Sequence, residues 1–179
     1  MIISIIIVCL SFALVGFTTG KSHRAAIKAY KENLRKYQKE KKLTDSELQL
    51  FKETLGEAKE LILSWEETNK GIKSLNMIEA QELGLKSSKE IFKELMEHPK
   101  EINQLNEFLY IKLPGVVDAS KRVRQIYEAG LSTPEIDESL KSMQHTIEVI
   151  SRSITDDYEA IVQEDSEEIA LTKKIIGEK

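Results

Sequence analysis

A single cysteine, Cys9, occurs in the 179 residues, so no intrachain disulfide and no thiolate metal cluster can form. That usage is compatible with a reducing compartment. Glycine and proline are scarce, at 8 and 3 residues. A sandwich or barrel would need regular turn signals, and this chain does not supply them. Only three imidazoles are present, His23, His98 and His145. The residues three positions before them are Gly20, Leu95 and Ser142, so the Glu-x-x-His unit of di-metal bundle sites is missing. Neither a Gly-x-x-x-x-Gly-Lys phosphate loop nor a Gly-x-Gly-x-x-Gly turn occurs. The sequence thus shows no cofactor motif, no metal-ligand set and no catalytic constellation.

Charge is absent from the first twenty residues, MIISIIIVCLSFALVGFTTG. Twenty helical residues span about 30 Å, the thickness of bilayer hydrocarbon. A cleaved signal peptide would carry a basic leading region, and a lipoprotein signal would place a small residue where Val8 precedes Cys9. A retained transmembrane helix over residues 1–20 is the expectation. Lys21 to Lys42 then carries nine Lys/Arg against two Glu, while the remainder holds 17 basic and 28 acidic residues, a net of −11. The positive-inside rule places the N-terminus outside and the body in the cytoplasm, a single-pass protein of the cell membrane. Within the basic stretch, Ile27, Tyr30, Leu34 and Tyr37 are spaced three and four apart. Residues 21–43 therefore read as a basic juxtamembrane helix or linker. It either lies on anionic lipid headgroups or serves as a charged stalk whose cations stop transfer. An acidic body disfavours nucleic acid as a partner.

Residues 44–179 are read as a helical bundle. Thr44-Asp-Ser-Glu47 is a capping box. Behind it Leu48, Phe51, Leu55, Ala58, Ile62, Trp65 and Ile72 keep a three-four rhythm, predicting one helix to about Lys73. Trp65 on that stripe reads as packing. A second helix is expected from Glu79 to Glu97, ended by His98-Pro99. A central rod follows from Pro99 to Gly130, with Ile102, Leu105, Leu109, Val116, Val123 and Ile126 on one stripe and a kink at Pro114, whose ring clashes with the carbonyl four residues back. Ser132-Thr133-Pro134-Glu135 signals another start. Ile136, Leu140, Met143, Ile147, Ile150, Ile154 and Ile161 mark the last helix, and Ile169, Leu171, Ile175 and Ile176 resume its pattern. The fold class predicted is all-α: an N-terminal transmembrane helix followed by an elongated antiparallel bundle with coiled-coil-like packing.

Three polar features stand out in the body. Asp157 occupies a step of the apolar stripe and is expected to pair with a cation on the central rod. The carboxylates Asp156, Asp157, Glu164, Asp165, Glu167 and Glu168 crowd one helix; a hard-cation site could be built from them, but they read chiefly as a solvated acidic face. Lys121, Arg122 and Arg124 form the one compact basic cluster of the acidic body. With no aromatic interleaving and no glycine nest it reads chiefly as an ion-paired surface, and at most as a weak anion contact. His98 and His145 fall off the apolar stripes and read as surface residues.

Three segments carry a resemblance: Phe108-Leu-Tyr-x-x-Leu-Pro-x-Val-Val-Asp118, Phe51-x-Glu-Thr-Leu-x-Glu-Ala-Lys59 and the pair Asp157-Tyr158. Taken in their order along the chain, they resemble the bacterial XpaC family, the 5-bromo-4-chloroindolyl phosphate hydrolysis proteins, over roughly residues 45 to 176. The resemblance implies a connection to hydrolysis of a chromogenic phosphate ester and a TelA-like, toxic-anion-resistance protein as partner. It implies no catalytic positions. The functional expectation is a membrane-anchored scaffold or interaction protein, linked to envelope stress; a phosphoric-ester hydrolase is the alternative.

Overall fold

The computed structural model describes residues 20–177, with side chains from residue 27 onward and that of Glu168 left aside. Six α-helices occur among the described residues and no strand: α1 Gly20–Lys41, α2 Asp45–Asn69, α3 Lys73–Glu82, α4 Gly84–Glu97, α5 Leu113–Ala129 and α6 Pro134–Gly177. A 3₁₀ turn at Pro99–Asn103 and a π-helical turn at Phe108–Lys112 lie between α4 and α5. None of these helices is long and apolar enough to cross a membrane. The expected anchor falls on residues 1–20, outside the described set except for Gly20 at the start of α1. The chain divides into two compact units at Glu53 and Thr54, inside α2.

In the first unit, α1 gives the basic stretch its predicted helical form. It ends on Lys42 at φ 54, with the Leu43 amide donating to the Gln38 carbonyl at 3.0 Å and the Lys42 amide to Lys39 at 3.3 Å. That is the Schellman closure, made here on a lysine rather than a glycine. Leu43 is buried beyond it, and Thr44 and Glu47 complete the capping box, amide to carboxylate at 2.7 Å and amide to hydroxyl at 3.2 Å. The Tyr37 ring stacks on Phe51 at 5.7 Å across the reversal.

The second unit is organised by α6, against which α3, α4, α5 and the π turn all pack. Ile147 and Ile154 of α6, Leu75 of α3, Ile91 and Leu95 of α4 and Leu113, Val116 and Val123 of α5 are almost wholly excluded from water. Trp65 is buried, as its place on the α2 stripe implies.

The helix boundaries correct the sequence reading in three places. α2 stops at Asn69 rather than near Lys73, because Gly71 takes φ 78 and a new helix opens at Lys73. The segment expected to be one helix from Glu79 to Glu97 is broken at Leu83, which sits at φ 58 between α3 and α4. The central rod begins as a 3₁₀ turn, and its long α-helix runs from Leu113, after the π turn. Pro114 does perturb that rod, by a route other than a simple kink. In the π turn the Leu113 amide donates to Phe108, five residues back, which widens the helix immediately ahead of the proline ring. The extra residue enlarges the apolar face, so Phe108, Leu109, Leu113, Val116 and Val117 are all buried. The start of α6 is as predicted: Pro134 opens it and Thr133 Oγ accepts the Ile136 amide at 3.3 Å.

Candidate functional site

The densest polar arrangement lies where the α3–α4 corner meets α6. Leu83 turns the chain through left-handed backbone, and Gly84 then approaches α6 so closely that a Cβ there would stand 2.6 Å from Ser151 Cβ and 2.7 Å from its Cα. Only glycine fits such an approach without moving a backbone. The free amides opening α4 are met from α3. The Glu79 carboxylate accepts from the Leu85 amide at 2.8 Å and the Lys86 amide at 3.0 Å. A carboxylate at a helix start satisfies orphan donors and complements the positive end of the dipole. Burial nonetheless pushes the Glu79 carboxyl up, more than the two amides and Lys89 pull it down.

The last residue of α3 is held from α6 at two points. Arg152 grips the Glu82 carboxylate with Nε at 2.9 Å and Nη2 at 2.8 Å, while Thr155 Oγ donates to the Glu82 carbonyl at 2.6 Å. The guanidinium hydrogen bond holds the Glu82 carboxyl below its ordinary range. Ser87 and Thr155 hydroxyls meet at 3.0 Å, and Ser88 donates to the Gly84 carbonyl at 2.8 Å. Ser151 Oγ is buried with no hydrogen-bond partner among the described residues. Four hydroxyls therefore crowd a small space, but none is bonded to an imidazole or carboxylate that would take its proton. Chemically this is a joint between helices.

One turn further along α6, Lys112 Nζ contacts both Asp157 oxygens at 2.8 Å. The lysine side chain is only 12% exposed and the aspartate 25%, so the pair is largely shielded and fixes the π turn onto α6. This is the partner anticipated for Asp157. Tyr110 of the same turn bonds Thr54 of α2, hydroxyl to hydroxyl, at 3.1 Å.

The basic cluster does not act as one cradle. Lys121 and Arg122 are exposed and have no partner among the described residues. Arg124 turns to the end of α2, donating to the carbonyls of Thr68 at 3.0 Å, Glu67 at 3.0 Å and Lys70 at 2.5 Å, and to Glu128 at 3.1 Å. It caps carbonyls a helix C-terminus leaves free, where a cation is also favoured by the dipole. Any weak anion contact falls to Lys121 and Arg122 alone. His98 and His145 are exposed, 3.7 Å from Glu101 and 3.5 Å from Glu148. His23 lies among side chains outside the described set. No group of three or more His, Cys, Asp or Glu able to hold a metal occurs among the described residues.

At the α5–α6 turn an open cleft of about 430 Å³ is walled chiefly by Ile126, Ala129, Leu131 and Ile136. Leu131 and neighbouring Tyr127 are well exposed. Sequence reasoning passed over Glu79, Glu82, Gly84 and Arg152. One signal was available, a glycine inside a predicted helix, which marks a close approach or a break.

Two of the three resemblance segments converge on these joints. Phe108–Asp118 supplies the π turn and Lys112, and Asp157-Tyr158 supplies the acid that Lys112 meets. No curated protein and no solved structure matches this chain. The family model of the 5-bromo-4-chloroindolyl phosphate hydrolysis proteins matches residues 1–172, all but the last seven, and the chain belongs to that family.

Proposed function

We propose that this protein is a helical scaffold or interaction protein held at the membrane by its apolar first twenty residues, with its body on the cytoplasmic side. The observation that carries the reading is the use made of its polar side chains. Lys112–Asp157, Arg152–Glu82, Glu79 and Arg124 are each engaged in holding one helix to another or closing a helix end. Apolar surface also remains open to a partner, at the cleft beside Leu131 and along the distal part of α6. Exposed apolar surface on a charged body is the usual mark of an interaction site. The basic face of α1, where Lys28 and Lys36 point to solvent, supports apposition to anionic headgroups. A TelA-like protein is the partner the family connection favours, and envelope stress the setting.

Fractionation tests the anchoring. The full chain should stay with membranes after alkaline carbonate washing, and protease added to intact cells should spare the body. Recovery of a mature chain beginning near Lys21 in the medium would reject it.

A second reading has the family description behind it: direct hydrolysis of a phosphate ester. Such a reaction requires positioned cations or metal and an activated nucleophile. Purified full-length protein in mild detergent, given the chromogenic ester with and without divalent metal, separates the two. The scaffold reading expects no turnover above a heat-treated control. Robust turnover lost in Lys121→Ala with Arg122→Ala would establish the hydrolase. Arg124→Ala is the wrong probe, because that side chain closes α2.

A further inference from the structure

Beyond Tyr158 the apolar residues of α6 are largely exposed among the described residues. The inward stripe of this helix, the buried Ile147, Ser151 and Ile154 and the half-buried Tyr158, continues as Val162, Asp165, Ile169, Thr172 and Ile176 at steps of four and three. Val162, Ile169 and Ile176 are 48%, 57% and 70% exposed, with Leu171 and Ile175 bare beside them. From Val162 to Ile176 the helix carries two heptads of seam, about 21 Å long, left exposed among the described residues.

Charge along this segment is sharply divided. From Ser153 to Thr172 there are seven acids (Asp156, Asp157, Glu159, Glu164, Asp165, Glu167, Glu168) and no lysine or arginine. Lys173 and Lys174 follow at once. Two such helices laid parallel would set each acidic run against its copy and Asp165 against Asp165 in the seam. Laid antiparallel, with the two-fold axis near the middle of the segment, each Lys173–Lys174 pair lies along the other copy's acidic run, and the apolar seams still face each other. Like charges at such positions disfavour an alignment and opposite charges select it. An isologous two-fold contact also closes on itself and forms no filament.

We propose that the distal part of α6 is a self-association surface, at which two copies of this chain join as an antiparallel helix pair over Val162–Ile176. Two heptads make a small interface with polar Asp165 and Thr172 in its seam, so the dimer forms and dissociates with concentration rather than being permanent. The inference requires neither membrane anchoring nor any enzymatic role.

The test uses full-length protein in mild detergent, with Cys9→Ser removing the native thiol. Val162→Cys and Ile176→Cys are prepared as separate proteins and treated with a short bismaleimide, singly and mixed. The antiparallel pair predicts covalent dimers in the mixture at several-fold the yield of either protein alone. A micelle that merely gathers copies cannot give that dependence on position. Lys173→Glu with Lys174→Glu should cut the yield several-fold, and Glu164→Lys with Asp165→Lys in the opposing copy should restore it. All four side chains belong to an exposed segment, so circular dichroism should stay unchanged. Cross-linking of each single protein with itself in preference to the mixture would mean a parallel pair and overturn the proposal. Equal yields in all three samples would overturn it too. So would no covalent dimer at any concentration, which would leave the seam to a different protein.

Discussion

The two parts of α6 on either side of Tyr158 follow one rule and meet opposite fates. Before it, Ile147 and Ile154 are 2% and 0% exposed; after it, Ile169 and Ile176 are more than half exposed. Residue type, spacing and helical form are the same on both sides. The difference lies in what arrives from elsewhere in the chain: α3, α4, α5 and the π turn all come to the first part. Three-four spacing therefore reports that a face exists, and burial reports that something covers it. Buried and bare isoleucines at equivalent positions make the two parts each other's control.

The largest expected effect breaks that comparison directly. Ile154→Ala should destabilise the fold by about 2–5 kcal/mol, as a truncation in a closed core that relaxes only partly. Ile176→Ala should change it by no more than about 0.5 kcal/mol, as an exposed substitution. Urea unfolding followed by circular dichroism measures both. Similar losses at the two sites would mean that the distal seam is also covered within one chain.

Next comes the joint that makes the first part different. Gly84→Ala would place a methyl group against the Ser151 backbone, so helix α4 must shift on α6. A cost of about 1–3 kcal/mol is expected from such overpacking. Ser151→Gly should recover only part of it, because the Ser151 Cα is itself 2.7 Å from the added atom.

The charge pair sharpens the comparison further. Asp157→Ala leaves the Lys112 ammonium shielded with only Glu107, 3.9 Å away, and should cost about 1–3 kcal/mol. Replacing both, Lys112→Met with Asp157→Leu, should cost clearly less, since no unpaired charge is left behind. Asp165→Ala, in the distal part, should be close to neutral in the unfolding of a single chain. An equal cost for single and double replacements would show that the pair does more than compensate its own burial.

The smallest effects concern acid. Glu82 has a folded pKa held below its ordinary 4.5 by Arg152, so its contribution is present above that value and is lost as pH falls through the folded one. Glu79 is shifted the other way by burial, so its ionisation opposes folding as pH rises through the window above 4.5. Between about pH 3 and pH 6, Glu82→Gln should flatten the acid loss of stability and Glu79→Gln should steepen it. Urea midpoints across that range give the slopes, and changes of slope in the same direction for the two variants would contradict the assignment.

Much of this protein was legible because helix signals are local. The capping box at Thr44, the Thr133-Pro134 start and the stripe residues Trp65, Leu109 and Ile154 depend on neighbours three or four positions away. Asp157 was legible for a related reason, as a charge standing where the rhythm asks for an apolar group. Harder cases arose wherever the cause lay far along the chain. Leu83 carries no turn signal, and its left-handed backbone is held by Glu79 on one side and by the seat of Gly84 on α6 on the other. Arg124 read as part of a surface cluster because the carbonyls it closes belong to α2, more than fifty residues earlier.

By itself the sequence determined the helical class of the fold, the apolar stripes that must be buried and several of the helix starts. Side-chain spacing and backbone caps act within a turn or two, and the chain carries that information directly. Tertiary structure alone decided which helix became the spine, that Pro114 is met by a widened π turn, and which isoleucines of α6 are covered. Those outcomes depend on volumes and charges brought together across long separations, where the fit of one side chain is fixed by another far away in the chain.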